Sequence, residues 1–129
     1  MKKTAWSNPA MLAAILVAGV AVSSAQAEPL AGEKSYKQHC AACHALAADA
    51  PRGMGPNLHA IIGREAGKVA GFGYSPAFLK ALAGETWTPE LLDKWLEQPQ
   101  NVAKGTYMMY QQADPAIRSA IIEYLKSVK

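Results

Sequence analysis

The chain has 129 residues, half of them hydrophobic, with 13 Lys and Arg against 10 Asp and Glu and only two cysteines. That length holds one domain, and a formal charge of +3 with no clustered basic run excludes a nucleic-acid footprint. So small a domain buries a modest core and often depends on a metal or cross-link.

Residues 1–27 have the parts of a cleavable secretory signal. Lys2 and Lys3 form a basic start, Met11–Val22 an apolar stretch, and Ala25-Gln26-Ala27 an A-x-A cleavage site. The apolar run is shorter than the ~20 residues that a spanning helix needs, which argues against a retained anchor. Cleavage after Ala27 would leave residues 28–129 as the folded domain, with 11 basic against 10 acidic side chains. Export to the periplasm is the expected destination.

The pattern predicts a helix over Ala31–Gln38, with Gly32 and Tyr36 on one face. Immediately after it comes Cys40-Ala41-Ala42-Cys43-His44. C-x-x-C-H is the attachment pattern of c-type haem: two thiols add to the two vinyl groups and the adjacent histidine serves as an axial ligand. A thiol–disulfide protein would need a βαβ context, and zinc would need four ligands. The sequence has neither a second cysteine pair nor suitably spaced histidines among His39, His44 and His59.

Ala50–Gly73 is rich in Gly and Pro and lacks periodicity, as does Pro99–Gln112. Loops this long in a compact domain are usually functional or disordered, and wrapping a cofactor is the functional version. Three helix starts share a capping residue followed by proline: Ser75-Pro76, Thr88-Pro89 and Asp114-Pro115. The first helix is short and stops by Gly84. The second buries Leu91, Leu92, Trp95 and Leu96 and ends near Gln98, before Pro99. In the third, Ile117, Ala120, Ile121, Tyr124, Leu125 and Val128 form one stripe, with Arg118, Glu123, Lys126 and Lys129 off it. No strand pattern occurs, so the fold class is all-α.

A haem iron held by one histidine has a sixth position, and its occupant decides the chemistry. An open position binds and activates small molecules, whereas a His/Met pair favours electron transfer and a higher potential. Met54, Met108 and Met109 are the available thioethers, and spacing alone does not choose between the last two.

Gly55-Pro56-Asn57-Leu58-His59, Gly63-Arg64, Gly71-Phe72-Gly73-Tyr74, Thr86-Trp87 and Gly105-Thr106-Tyr107-Met108 together resemble class I cytochromes c. They are most like the small bacterial and mitochondrial-type carriers. The resemblance runs in order over nearly the whole of residues 28–129. It implies four to five helices wrapped around one covalently bound haem c, with the first and last helices crossing. It also implies that His44 and Met108 ligate the iron, and that the Pro56 carbonyl accepts a hydrogen bond from His44. Arg64, Tyr74 and Trp87 would hold the propionates, since buried carboxylates need donors, and Trp95 would stand beside Met108. Gly32, Tyr36 and Tyr124 would form the helix crossing. Met54 would be packing, and His39 and His59 surface residues.

The implied role is a periplasmic one-electron carrier, not an enzyme. It would serve redox partners such as a quinol–cytochrome c oxidoreductase, a terminal oxidase or a photosynthetic reaction centre, as a monomer and without stable membrane insertion. A haem peroxidase or gas-binding protein with a labile sixth ligand is the alternative. Many relatives dock through a lysine ring; here His39, Gln100, Asn101 and Tyr107 stand at four such positions. Lys37, Lys68, Lys80, Lys104 and Lys126 remain as contributors, so long-range steering should be weak. Phe78 stands near where many relatives have an asparagine.

Overall fold

The computed structural model describes residues 27–51 and 53–129. The expected leader therefore lies outside the described residues, apart from Ala27. Five helices are present among them: α1 (Ala27–His39), α2 (Pro76–Ala81), α3 (Pro89–Glu97), α4 (Pro99–Val102) and α5 (Pro115–Ser127). Helix α1 starts four residues before the predicted Ala31, because a proline such as Pro29 is compatible with a first helical turn, whose N–H groups have no intrahelical partner.

The three predicted caps form as the sequence dictates. Ser75 Oγ accepts from Phe78 N at 3.0 Å, Thr88 Oγ1 from Leu91 N at 3.1 Å, and Asp114 Oδ1 from Ala116 N at 2.8 Å. Helix α3 gives way at Gln98, whose backbone turns extended ahead of Pro99. The chain then makes the single turn of α4, which four residues are too few to announce by periodicity.

Helices α1 and α5 cross where Gly32 meets Ala120. A Cβ on Gly32 would overlap the Ala120 carbonyl oxygen and lie 2.7 Å from Tyr124 Cβ, so the backbones approach as only glycine permits. One turn on, the Tyr36 and Tyr124 rings pack with centroids 5.7 Å apart. Ile121 is fully buried at the centre, with Leu125, Leu92, Leu96 and Trp95 around it.

The predicted α5 stripe is broader than expected, since Ile122 is buried as well. Arg118, placed off the stripe by periodicity, is 6% exposed. Its Nε donates to Asp93 Oδ1 at 2.7 Å, and its Nη1 donates to the carbonyls of Gln112 and Ala113 at 2.9 and 3.0 Å. A guanidinium can enter a core when its donors are answered in this way. Arg118 thereby fastens the end of the long 103–114 loop to α3 and α5.

The other long loop is pinned by backbone bonds. Trp87 N donates to Arg64 O at 2.9 Å, Gly63 N to Trp87 O at 2.8 Å, and Ala66 N to Glu85 O at 2.8 Å. Glu65 and Thr86 form an isolated bridge there, and no longer strand occurs among the described residues. No described helix is long and apolar enough to cross a membrane.

Candidate haem site

The two long loops close over a cavity of about 520 Å³. Its entrance is built by the turn that extends α1. Cys43 N and His44 N both donate to Cys40 O, at 3.1 and 2.9 Å. The residues three and four positions after Cys40 are thus brought round to the same side as it. Cys40, Cys43 and His44 all line the cavity. Burial pushes the Cys40 thiol up to about 11, with the Cys43 thiolate adding to the rise.

His44 is oriented from two sides. Its Nδ1 lies 2.8 Å from the Pro56 carbonyl oxygen, which can only accept, so Nδ1 carries the proton and Nε2 keeps its lone pair. Its own carbonyl accepts from the Tyr36 hydroxyl at 2.6 Å. Burial lowers the imidazole pKa, partly offset by the Pro56 bond, which favours the neutral ring that a metal requires. Gly55 makes this possible: a Cβ there would lie 2.5 Å from His44 Nδ1.

Met108 lines the same cavity, half-buried, with its Sδ accepting from Trp95 Nε1 at 3.2 Å. Trp95 is held edge-on by Phe78 and Trp87, at centroid distances of 5.4 and 5.8 Å. The other two thioethers point outward, Met54 being 79% and Met109 76% exposed. Of the two adjacent methionines that spacing could not tell apart, Met108 is the half-buried one and Met109 the exposed one.

Arg64, Tyr74 and Trp87 also line the cavity. Arg64 Nη1 and Nη2 donate to the carbonyls of His59 and Asn57, at 2.8 and 2.6 Å. Burial is the main influence on its guanidinium, lowering its pKa. The Tyr74 hydroxyl accepts from Val69 N at 3.3 Å, and the Tyr74 ring stacks on Phe78 at 4.8 Å.

Three expectations need correcting. Met54, expected to be packing, is 79% exposed. His59 is not a free surface residue: it is half-buried, and its Nδ1 bonds Leu46 O at 2.9 Å, tying the loop to the segment after His44. His39 is half-buried too, its ring 5.9 Å from that of Tyr110. Gln100, read from the sequence only as standing at a docking-ring position, has a structural role. Its amide accepts from Gly105 N at 2.9 Å and donates to Thr106 O at 3.0 Å, shaping the turn before Met108. A lone amide in a one-turn helix leaves no periodic trace. Asn57, quoted only as part of a motif, clamps Ala47 O and His59 N at 2.7 and 2.6 Å.

These residues suit a haem. The cavity is mostly apolar, and its lining includes seven Phe, Tyr and Trp side chains together with two thiols, an imidazole and the Met108 thioether. Among the described residues, no three His, Cys, Asp or Glu side chains gather as a metal cluster of the zinc type.

No family model matches the chain. It is 36% identical over 108 residues to cytochrome c2 of Rhodopila globiformis, spanning 83% of this chain and 99% of that protein. Cytochrome c2 of Rhodomicrobium vannielii is 37% identical over 117 residues, 90% of each chain. The solved structure of cytochrome c2 from Rhodospirillum centenum superposes with a TM-score of 0.70 at 35% identity, covering 78% of this chain and 97% of that one. Near-complete coverage of proteins so named, joined to a C-x-x-C-H turn at the mouth of a haem-sized apolar cavity, places the chain in the class I cytochrome c family of monohaem electron carriers, with one haem c attached through Cys40 and Cys43.

Proposed function

We propose that this electron carrier is exported, is processed after Ala27, and works in the periplasm with His44 and Met108 as axial ligands. The observation that supports the ligand assignment is that one cavity is lined by both side chains: His44, oriented by Pro56, and Met108, whose Sδ accepts from Trp95 Nε1 at 3.2 Å. The bound haem supplies the one-electron iron couple.

The protein's residues do the rest. Cys40 and Cys43 would hold the haem covalently, while His44 would offer Nε2 because Nδ1 is committed to Pro56. Met108 offers a soft thioether, which favours the reduced metal. Arg64, Tyr74 and Trp87 answer the propionates. Phe78, Trp87 and Trp95 line the cavity and exclude water beside Met108, and both ligands are anchored by the fold, so little has to move on electron transfer. A peroxidase or gas-binding role would require Met108 to leave, against the Trp95 bond and the loop anchors at Gln100 and Arg118.

Partners are redox complexes of the kinds that reduce and oxidise such carriers: a quinol–cytochrome c oxidoreductase on one side, and a terminal oxidase or photosynthetic reaction centre on the other. Intact-mass measurement of protein recovered from the periplasm tests the reading. The expected mass is that of residues 28–129 plus one haem, in a species that titrates reversibly with one electron. A mass retaining residues 1–27 would remove the processing step, and a haem-free mass would remove the carrier assignment.

A further inference from the structure

Three of the four large apolar side chains most exposed among the described residues border one opening. Met54 is 79%, Tyr107 71% and Met109 76% exposed, and all three line the mouth of the haem cavity. Met54 comes from the loop on the His44 side. Tyr107 and Met109 come from the other long loop, where they flank Met108. Burial alternates along this segment, so turning Met108 inward obliges its neighbours to face out. Geometry thus dictates that residues 107 and 109 are displayed, while the sequence chooses that they are apolar. Met109 is further held in place, its Sδ accepting from Gln100 Nε2 at 3.5 Å.

Among the described residues, the charges around this mouth are sparse: no Lys, Asp or Glu lines the cavity, and the guanidinium that does, Arg64, bonds backbone carbonyls and is assigned to the propionates. Of the five lysines that could contribute to a docking ring, three are paired on their own segments: Lys37 with Glu33 at 2.6 Å, Lys68 with Glu65 at 3.4 Å, and Lys126 with Glu123 at 2.8 Å. Such pairs present local dipoles instead of a positive field. Contiguous exposed apolar surface generally marks an interaction site, and methionine is common on surfaces that adapt to a partner.

We infer that Met54, Tyr107 and Met109 form the docking face for electron transfer, and that the partner is a redox protein whose contact face is apolar and nearly uncharged. The inference rests on the carrier reading, because an electron must leave through the edge of the cavity that these residues frame. An acidic partner face would find little to pair with here, whereas an apolar one would bury both thioethers and the phenol ring. Association then depends on short-range burial, with little electrostatic acceleration.

The test follows oxidation of the ascorbate-reduced holoprotein by washed membranes of the organism that makes it. For the natural chain, the second-order rate should change less than about threefold between ~10 and ~300 mM KCl, because screening has little to act upon. Met54→Ser with Met109→Ser should lower the rate about tenfold at every salt concentration, as loss of central contacts does. The same variant should react with ferricyanide as the natural chain does, showing an intact haem site. A natural-chain rate that falls more than about tenfold with salt, or a double variant as fast as the natural chain, would overturn the inference while leaving the carrier reading intact. So would a dimer, seen by sedimentation, that the double variant abolishes, since a second copy would then be the occupant. Failure of the natural chain to react even with ferricyanide would remove the carrier reading and this inference with it.

Discussion

Substituting Gly32 by alanine sets two well-calibrated effects against each other. Helix propensity favours alanine over glycine in a helix interior by about 1 kcal/mol. Against this, the new Cβ would overlap the Ala120 carbonyl oxygen and lie 2.7 Å from Tyr124 Cβ. Neither neighbour is the far end of a flexible side chain, so α1 and α5 must separate. Overpacking of a rigid contact costs about 1–3 kcal/mol, and a clash with main chain belongs at the upper end. The net expectation is a loss of about 2 kcal/mol, a large share of the 5–15 kcal/mol typical of a domain. For a chain of this size that corresponds to a fall in Tm of about 8–16 °C. Thermal unfolding of the holoprotein, followed by far-UV circular dichroism, reads it directly. Ser119→Ala, an exposed change on α5, should stay within about 0.5 kcal/mol. A Gly32→Ala protein as stable as the natural chain would refute the close-crossing argument, since propensity would then have won.

Other substitutions separate the roles of neighbouring residues. Met108→Ala should open the iron to added imidazole and lower the reduction potential, whereas Met109→Ala should leave the absorption spectrum nearly unchanged. Trp95→Phe keeps an aromatic ring but removes the N–H donated to Met108 Sδ; an imidazole titration should show about fivefold tighter binding, the equivalent of one ordinary hydrogen bond. Arg118→Met should lower the guanidinium denaturation midpoint and ease displacement of Met108, because the carbonyls of Gln112 and Ala113 lose their donor. Arg118→Lys should not restore either property, since an ammonium cannot reproduce the fork that spans Asp93 and both carbonyls. Gly55→Ala should reduce the yield of haem-loaded protein, as its Cβ would crowd the His44 ring.

Features that depend on local chemistry were legible before any coordinates. Proline after Ser75, Thr88 and Asp114 announced three helix starts, and the C-x-x-C-H run announced the haem. Features that depend on distant contacts were not. Periodicity put Arg118 on a solvated face because a charged residue off an apolar stripe normally stays in water. Its burial is intelligible only once Asp93 and the carbonyls of Gln112 and Ala113 are seen to converge on it. Met108 and Met109 are equivalent by spacing; the family motif favoured Met108, and in the fold it is Met108, in a loop, that meets the indole of Trp95 on α3. His59 and Gln100 act through backbone groups 13 and 5 or 6 residues away, at separations that no helical or strand period encodes.

The central claim is that His44 and Met108 close the iron from opposite sides. The near-infrared absorption of the ferric holoprotein tests it most directly, because His/Met ligation gives a weak sulfur-to-iron band near ~700 nm. The band is expected in the natural chain and in Met109→Ala, and is expected to be lost in Met108→Ala. A natural chain with covalent haem but no such band, or a band that survives Met108→Ala, would contradict it.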